Sequence, residues 1–581
     1  MSEDERFDKV LTQLGTGRWN AIFYTGLALW GIIWPWAALS SEFVAPEHDH
    51  HCIEYTAQHA VGLQDPPTIR LQDLGTQVLL NSNMLNTSQL DPCTWDVPIE
   101  IADMLGLVVA GVEVLEDKVS HNVYVPSHCS NWIFFNRSYT NTITSEFSLV
   151  CSRSSLRNKY NTALPIGTII GAIITSVLAD RIGRRTVIFG GSVLYWVFTF
   201  IPVWLKDFQA ILAFRLLTGL CEAPLILTAY HLALEVCSPS NRSVWGLVLG
   251  VPGAVGTILF GGVAYLHSNW RYLQLTTSLA PLVFLPFFWL YDESPRWLIT
   301  SGRRDAAQCV IHRAERLNKS KKIKESDLEI IMNHIEKQVG FVSKPSFKMK
   351  MQKMFKNTIV IFIRSPMLRC VSLIMFLECI VCNVLIYGIS KQGMVYSQCP
   401  YLALVLMGLS EVPLLLVMPP IIDRIGRRPV NAVLIILTGG IIMGLAFVPH
   451  DKSWLMFTLV VIGRSCVTVT WQLLQLISGE VFPTVVRLQA AATANALGRL
   501  AALGVPYITH TLNNINPWVS TALLGIVALV AGITTMGLPE TRGKLLPDTL
   551  KHLENINIKN ECVVRNGNLV PDLDRLNSTR V

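Results

Sequence analysis

Charged residues are scarce in this chain. Of its 581 residues, only 15% are Asp, Glu, Lys or Arg, while 51% are hydrophobic. A soluble domain carries about 25% charged residues. This shortfall, together with a mean hydropathy of +0.41, argues against a large soluble α-helical protein and indicates a polytopic membrane protein. The first nineteen residues are polar and the apolar run after them is too long for a signal peptide, so we expect it to be an uncleaved first span.

The motifs of several enzyme classes are also absent. The sequence has no P-loop, no nucleotide-binding glycine motif in a strand–helix context and no nucleophile elbow, which argues against nucleotide-driven pumps and common hydrolases. The nine cysteines outside the segment 45–156 show no complete set of ligands at metal-binding spacing. We therefore expect no enzyme activity, no metal, no cofactor and no nucleic-acid partner.

Apolar runs long enough to cross a bilayer recur along the chain, since a spanning helix needs roughly 20 residues. Gly and Pro interrupt some of them. The predicted spans are residues 20–44, 157–179, 187–205, 209–235, 243–265, 268–291, 367–390, 400–422, 429–449, 455–479, 488–511 and 516–538. The pattern predicts an all-α membrane protein with twelve transmembrane helices. One half comprises helix 1 and helices 2–6 within 157–292, and the other comprises helices 7–12 within 367–538.

Basic residues set the expected orientation, because Lys and Arg concentrate in cytoplasmic loops. The stretch 296–369 holds 17 Lys and Arg against 6 Asp and Glu. We therefore expect the loop 293–366, the N-terminal segment 1–19 and the tail 539–581 to be cytoplasmic. The net charge of +7 is then mostly a topology signal, although the loop could also touch anionic lipid.

The segment 45–156 is predicted to be one large extracellular loop between helices 1 and 2. Four cysteines in an oxidising compartment indicate two disulfides with three possible pairings, and two sequons indicate N-glycosylation. These residues are Cys52, Cys93, Cys129 and Cys151, with Asn86 and Asn136.

One nine-residue sequence occurs twice, as ADRIGRRTV at 179–187 and as IDRIGRRPV at 422–430. Asp180 and Asp423 are 243 positions apart (423 − 180). Other landmarks recur at similar offsets: Glu235 and Glu480 (245), Glu293 and Glu540 (247), and Arg215 and Arg464 (249). The nearly constant offset predicts that the chain consists of two six-helix halves, repeated in the same direction along the sequence. Secondary transporters are built in this way, with the binding site between the halves near the midplane.

Each copy has the residues of a cytoplasmic gate. Its glycine permits a tight turn, its arginines stay charged and offer fork-shaped donors, and its aspartate at a helix C-terminus needs a partner. We expect these groups to form ion pairs that hold the cytoplasmic helix ends together while the protein faces outward. These ion pairs should break when it faces inward. The alternative is that they merely follow the positive-inside rule. The predicted gate residues are Asp180, Arg181, Gly183, Arg184, Arg185, Glu235, Arg242, Asp423, Arg424, Gly426, Arg427, Arg428, Glu480 and Arg487.

Three motifs carry a family resemblance. Glu293-Ser-Pro-Arg-Trp-Leu298, Trp132 followed by Thr144-Ser-Glu-Phe-Ser-Leu-Val-Cys151, and Asn269-Trp-Arg271 resemble motifs of the major facilitator superfamily. Within it, they resemble the organic cation, organic anion and carnitine transporter family (solute carrier 22-like). The resemblance implies a secondary transporter of the plasma membrane that moves small organic ions by alternating access. Ser176 and Pro419 stand where the superfamily has glycine, and the pair at 419–420 could kink helix 8 and weaken the second latch.

Charged groups in mid-membrane are expensive and are therefore functional candidates. In the family, the position matching Arg499 is Arg in anion and carnitine carriers and Asp in typical cation carriers, and Ser-Glu411-Val-Pro413 resembles a segment of cation and carnitine carriers. This combination suits a zwitterion such as carnitine, or an organic cation such as a quaternary ammonium. Organic anions with a carboxylate, and a non-transporting receptor on a transporter fold, are the alternatives. The predicted substrate-binding residues are Arg499, Glu411, Tyr387, Tyr230, Trp471, Gln472, Gln475, Glu222, Glu378 and His231.

The sequence leaves several roles open. Arg499 could instead neutralise Glu378 or Glu411 in a structural pair, and three acids against one arginine could form a net-negative pocket. Glu222 or Glu378 would be the natural proton carriers, because burial raises the pKa of a carboxyl group. Coupling to Na⁺ or to H⁺ is open. We expect contact with membrane lipid and a monomer or weak homo-oligomer.

Overall fold

A computed structural model describes most of the membrane part and portions of the large loop. The described residues are 10–46, 49–52, 94–98, 115–116, 123–128, 132–135, 140–238, 241–320, 325–326, 328–330, 332–333, 366–397, 399–449, 451–482, 487–515 and 517–542.

Long helices follow one another through this part of the chain, in the predicted order. The first six are α1 Arg18–Val44, α2 Ser154–Ile182, α3 Arg184–Trp204, α4 Phe208–Val236, α5 Arg242–Leu266 and α6 Trp270–Leu290. The next six are α7 Pro366–Tyr396, α8 Pro400–Ile425, α9 Arg427–Leu445, α10 Ser453–Val481, α11 Arg487–Ile515 and α12 Pro517–Thr535.

The helix count is compatible with the predicted twelve spans. Within the described residues, eleven helices are long and apolar enough to cross a membrane. The remaining one, α11, occupies the predicted eleventh position with 29 residues. Helix α8 is continuous through Pro413, Pro419 and Pro420, so the predicted weak point at 419–420 does not break the helix.

The chain divides into two compact units. The first, which holds most of the helical residues, comprises residues 1–39, 162–266 and 273–581, and the second comprises residues 40–161 and 267–272. The second unit adds strands that the all-α prediction omitted: β1 Asp49–Cys52, β2 Thr94–Pro98, β3 Leu115–Glu116, β4 Val123–His128 and β5 Trp132–Phe135. Strand β1 pairs with β5, and β4 lies between β2 and β3, all antiparallel. Aromatic and β-branched residues in β4 and β5 favour this pairing.

The predicted loop modifications fall largely outside the described residues. This applies to Asn86, Asn136, Cys93 and Cys129, and to the side chain of Cys52. Cys151 is disulfide-bonded, and the pairing stays a prediction.

Glycines allow some helices to approach closely. A Cβ atom at Gly167 or Gly171 of α2 would lie 2.0 or 2.3 Å from a backbone oxygen of α4, and one at Gly219 of α4 would lie 2.1 Å from a backbone oxygen of α2. Such contact between backbones is typical of membrane helix packing at small residues. It fixes α4, which carries several candidate site residues, against α2.

Two short helices, Pro295–Thr300 and Arg304–Asn318, follow α6. Their apolar residues join those of the N-terminal segment and of α1 in one buried cluster, which includes Leu11, Trp19, Leu298 and Ile311. The sequence predicted this region only as a basic loop.

Candidate functional site

The first repeat builds an ion-pair cluster at the end of the bundle that carries both DRIGRR segments, which we call the basic end. Gly183, with φ of +108°, turns the chain between α2 and α3, a conformation that favours glycine. The Arg184 guanidinium then lies 3.2 Å from Asp180 and 3.2 Å from Glu235. The structure therefore brings these predicted gate residues together.

Glu293 completes this cluster, although the sequence analysis noted it only as a repeat landmark and as part of a family motif, and not among the gate residues. Its carboxylate accepts hydrogen bonds from the backbone N–H groups of Arg184 and Arg185, each at 3.0 Å. The first N–H groups of a helix have no partner within the helix, and a carboxylate there also meets the positive end of the helix dipole. Burial raises the pKa of Glu293.

The second repeat builds the same arrangement 243 residues later. Arg427 lies 3.6 Å from Asp423 and 3.5 Å from Glu480. Glu540 accepts hydrogen bonds from the backbone N–H groups of Arg427 and Arg428 at 3.0 and 3.1 Å. Gly426, with φ of +117°, makes the turn.

The other predicted gate residues have varied surroundings. The guanidinium of Arg185 lies 4.3 Å from the ring centre of Phe288, and Arg428 donates to the carbonyl of Met536. Arg181 and Arg424 are exposed. Arg242 begins α5, and the side chain of Arg487 lies outside the described residues.

The two halves touch each other at the basic end. Arg427 donates a hydrogen bond of 2.6 Å to the Ser243 hydroxyl of α5. A Cβ atom at Gly246 would lie 3.0 Å from Leu476 of α10, and one at Gly250 would lie 2.9 Å from Gln472. The second repeat thus bonds directly across the halves through Arg427.

A buried ion pair joins the halves in mid-membrane. Arg499 of α11 lies 3.5 Å from Glu222 of α4, with 10% and 2% of their side chains exposed. Thr168 of α2 donates to the other carboxylate oxygen of Glu222 at 3.4 Å. The partner of Arg499 is therefore Glu222, and neither Glu378 nor Glu411 as the sequence suggested.

A π-helical turn lies directly after Glu222. Residues Pro224–Thr228 form it within α4, because Pro224 has no N–H to continue the α-helical hydrogen bonding. Single π-helical turns inside α-helices often mark functional sites.

Further charged residues surround this pair. The phenol of Tyr387 of α7 lies near Arg499, Glu222, Arg464 and Arg215. Arg464 of α10 lies 3.5 Å from Glu411 of α8, and Thr468 donates to Glu411 at 3.0 Å. We call Arg215, Glu222, Tyr387, Glu411, Arg464 and Arg499 the central cluster.

The central cluster carries more positive than negative charge. Among its described residues are three guanidinium groups, of Arg215, Arg464 and Arg499, and two carboxylates, of Glu222 and Glu411, so its formal charge is +1 (3 − 2). Glu378 does not belong to it, because Glu378 is bonded to Thr535 of α12. The central cluster differs from the net-negative pocket that the sequence left open, because Glu378 lies elsewhere and Arg215 and Arg464 add positive charge.

Four predicted binding residues make contacts within the protein, and their role in binding stays a prediction. Tyr230 donates to the Gly246 carbonyl at 3.2 Å, and the Nδ1 atom of His231 lies 2.7 Å from the Leu227 carbonyl. Gln475 donates to Asn495 at 3.2 Å, and Trp471 is buried in the apolar cluster of the second half.

Gln472 and Trp34 lie beside helix α5. Oε1 of Gln472 is buried and has no hydrogen-bond partner among the described residues. Gln472 packs against Gly250, and the Trp34 ring lies 3.7 Å from the Cβ position of Gly253. The indole of Trp34 also interacts with Glu222. The sequence analysis named Gln472 and missed Trp34, whose aromatic side chain in an apolar helix gave no signal.

The described residues contain no group of three or more His, Cys, Asp or Glu that could hold a metal ion.

A family model described as "Sugar (and other) transporter" matches residues 134–550, which is most of the chain. The chain belongs to this family of transporters. Its relatives include an organic cation transporter protein of Drosophila melanogaster, 28% identical over 77% of this chain and 80% of the relative. Solute carrier family 22 member 6 of Oryctolagus cuniculus is 29% identical over 73% and 75%, and member 2 of Mus musculus is 28% identical over 77% and 78%. The predicted resemblance is confirmed.

Solved structures show the same fold. The proton:xylose symporter XylE bound to 6-bromo-6-deoxy-D-glucose aligns with a TM-score of 0.54 and 18% identity, covering 70% of this chain and 90% of that one. An inward-open structure of the E. coli xylose transporter XylE aligns with a TM-score of 0.51 and 16% identity, covering 70% and 90%. Both belong to the major facilitator superfamily, so this transporter has the major facilitator fold.

Proposed function

We propose that this transporter moves small organic ions that carry a carboxylate across the plasma membrane by alternating access. The observation that carries the proposal is the formal charge of +1 of the central cluster, with Arg499 at its centre. A monoanion neutralises this charge, whereas a cation raises it to +2 in a medium where unpaired charge is costly. An arginine can hold a carboxylate through two parallel hydrogen bonds.

Aromatic carboxylates and zwitterions such as carnitine both meet this requirement. The zwitterion was the first expectation from the sequence, and it would place its cationic group among aromatic rings such as Tyr387. A plain organic cation is the second candidate, favoured by the printed name of the Drosophila relative.

The test is uptake into cells that express the protein. Labelled hippurate, carnitine and tetraethylammonium would be compared in wild type, Arg499→Ala and Arg499→Lys at matched surface expression. We expect Arg499→Ala to lower hippurate or carnitine uptake at least roughly tenfold, the value of a charge-assisted hydrogen bond. Arg499→Lys should retain part of it. Uptake of tetraethylammonium alone, unaffected by Arg499→Ala, would refute the proposal. No uptake of any compound would favour the receptor alternative.

The same assay addresses the driving ion. Uptake in Na⁺-free buffer and under an imposed pH gradient distinguishes coupling to Na⁺, coupling to H⁺ and the membrane potential alone.

We further propose that the basic end, both termini and the loop 293–366 face the cytoplasm, and that 45–156 is an extracellular, disulfide-bonded and glycosylated loop. Tags at the two ends should be reached by antibody only after permeabilisation. Asn86→Gln and Asn136→Gln should each abolish part of a glycosidase-sensitive mass shift, whereas an unshifted wild type would contradict the orientation.

A further inference from the structure

We propose that Glu222 is an internal competitor for the substrate's carboxylate: it occupies Arg499 in the empty transporter and is displaced when the substrate binds. This inference rests on the proposed function. It makes Glu222 a specificity-determining residue of the site.

The geometry supports displacement better than a permanent bond. Arg499 and Glu222 lie 3.5 Å apart, which is longer than the 2.7–2.9 Å of a strong charge-assisted hydrogen bond. The Glu222 oxygen nearest to Arg499 has no hydrogen bond within the described residues. A bidentate partner for Arg499 would therefore gain interactions that Glu222 does not make.

Glu222 also has other partners once it is displaced. It interacts electrostatically with Arg215 and through a side-chain hydrogen bond with the indole of Trp34, and Thr168 donates to its second oxygen. A buried carboxylate left without a partner would be strongly destabilising. Because Arg215 lies on the same helix as Glu222, its positive charge still offsets the Glu222 carboxylate when Arg499 binds the substrate.

The exchange connects binding to movement of the halves. Glu222 lies on α4 of the first half and Arg499 on α11 of the second, so their bond links the halves of the empty transporter. A substrate carboxylate that replaces Glu222 removes this link. Only a ligand that interacts differently with two conformations can shift their equilibrium, and this exchange supplies such a difference.

Competition makes a specific prediction for Glu222→Gln. Removing the carboxylate leaves Arg499 without its competitor, so the apparent affinity for a carboxylate should rise. An apparent dissociation constant is increased by the fraction of protein that is not competent to bind. We expect the KM for hippurate to fall roughly threefold to tenfold and the maximal rate to fall with it, because release becomes slower. Glu222→Asp keeps the charge and should stay near the wild-type KM.

The experiment measures uptake in cells and binding to the purified protein. Binding is measured as the shift in melting temperature that hippurate induces. Glu315→Gln is the matched control, because Glu315 is a buried glutamate that pairs with His312 and lies outside the central cluster. An unchanged or higher KM in Glu222→Gln, with normal surface expression, would overturn the inference while leaving the proposed function intact.

Failure of the proposed function has a different signature. If wild type neither transports nor binds hippurate or carnitine but Glu222→Gln binds either of them, competition stands and the transport proposal falls. If neither protein binds a carboxylate, both proposals are wrong.

Discussion

At the scale of single residues, Glu293 and Glu540 each cap the N-terminus of the helix that follows a DRIGRR segment. Each carboxylate accepts hydrogen bonds from two backbone N–H groups, Glu293 at the N-terminus of α3 and Glu540 at that of α9. We predict that Glu293→Ala and Glu540→Ala each lower the free energy of unfolding by about 0.5–2 kcal/mol, the usual cost of a lost N-terminal cap. Thermal melting of the purified protein measures this, with exposed Glu329→Gln as control. Melting equal to the control would contradict the capping role.

Glu146 lies where two family motifs meet, Thr144–Cys151 and Asn269–Arg271. Glu146 accepts hydrogen bonds from Trp270 at 2.8 Å, Asn141 at 3.0 Å and Arg271 at 2.5 Å. Burial acts to raise the pKa of Glu146, but the hydrogen bonds, that from Arg271 foremost, hold it below the ordinary value of 4.5.

The sign of the pH dependence follows. A carboxyl group whose pKa is lower in the folded protein adds stability above its ordinary pKa and loses it as pH falls through the folded value. We predict that Glu146→Gln lowers the melting temperature at pH 7, and that its difference from wild type shrinks as pH falls below about 4.5. Melting curves across this range test it. A difference independent of pH would assign the loss to packing alone.

The sequence revealed the charged residues of the site but not their pairing. The repeat indicated Asp180, Glu235 and their counterparts, because the offset of about 245 residues is visible in one chain. Depth along a helix suggested Arg499 and Glu222 separately. Their contact depends on how each helix is rotated about its axis and on how the halves pack, and neither is encoded in local periodicity. The same limit left Arg215 and Arg464 as landmarks rather than members of the central cluster.

At the scale of elements, the N-terminal segment is fastened to the helix Arg304–Asn318. The side chain of Asn318 accepts from the backbone N–H of Trp19 at 2.9 Å and donates to Asn20 at 2.8 Å and to the Leu14 carbonyl at 3.2 Å. Trp19 in turn donates to Asp292 at 3.2 Å, next to Glu293 in the chain. The segment is thereby tied to the residue that caps α3.

We predict that Asn318→Ala releases this segment. The expected result is faster hydrogen exchange and proteolysis in residues 10–20, because the backbone there loses its anchor. Asn318→Asp, which keeps the acceptor but loses both donors, should give an intermediate effect. Exchange in 10–20 that matches wild type in Asn318→Ala would show that apolar contacts alone hold the segment.

Helices were the elements that the sequence predicted best. A run of about twenty apolar residues is a strong signal, and α1, α5 and α9 begin or end within a few residues of their predicted bounds. The five loop strands were not predicted, because short strands in a polar segment give no comparable signal. The docked N-terminal segment was missed for a related reason: its partner lies about 300 residues away in the chain.

At the scale of the whole molecule, the Arg499–Glu222 pair and the contact of Arg427 with Ser243 at the basic end lie where the two halves meet. The central cluster links them through Arg499 and Glu222, and the basic end links them through Arg427 and Ser243. Alternating access requires that contacts at one end form when those at the other separate. The contacts at the basic end therefore stabilise the conformation that is closed there.

The bond between Arg427 and Ser243 offers a test of this closed end. We predict that Ser243→Ala shifts the equilibrium roughly tenfold toward conformations open at the basic end, since a hydrogen bond to a charged group contributes about 1.5–3 kcal/mol. Hydrogen exchange should then increase in residues 242–250 of α5 and 471–479 of α10, which face each other across the halves. Ser278→Ala is the matched control, because buried Ser278 bonds to Leu275 within its own helix. Equal exchange in both variants would mean that the apolar contacts of Gly246 and Leu476, rather than Arg427, keep the basic end closed.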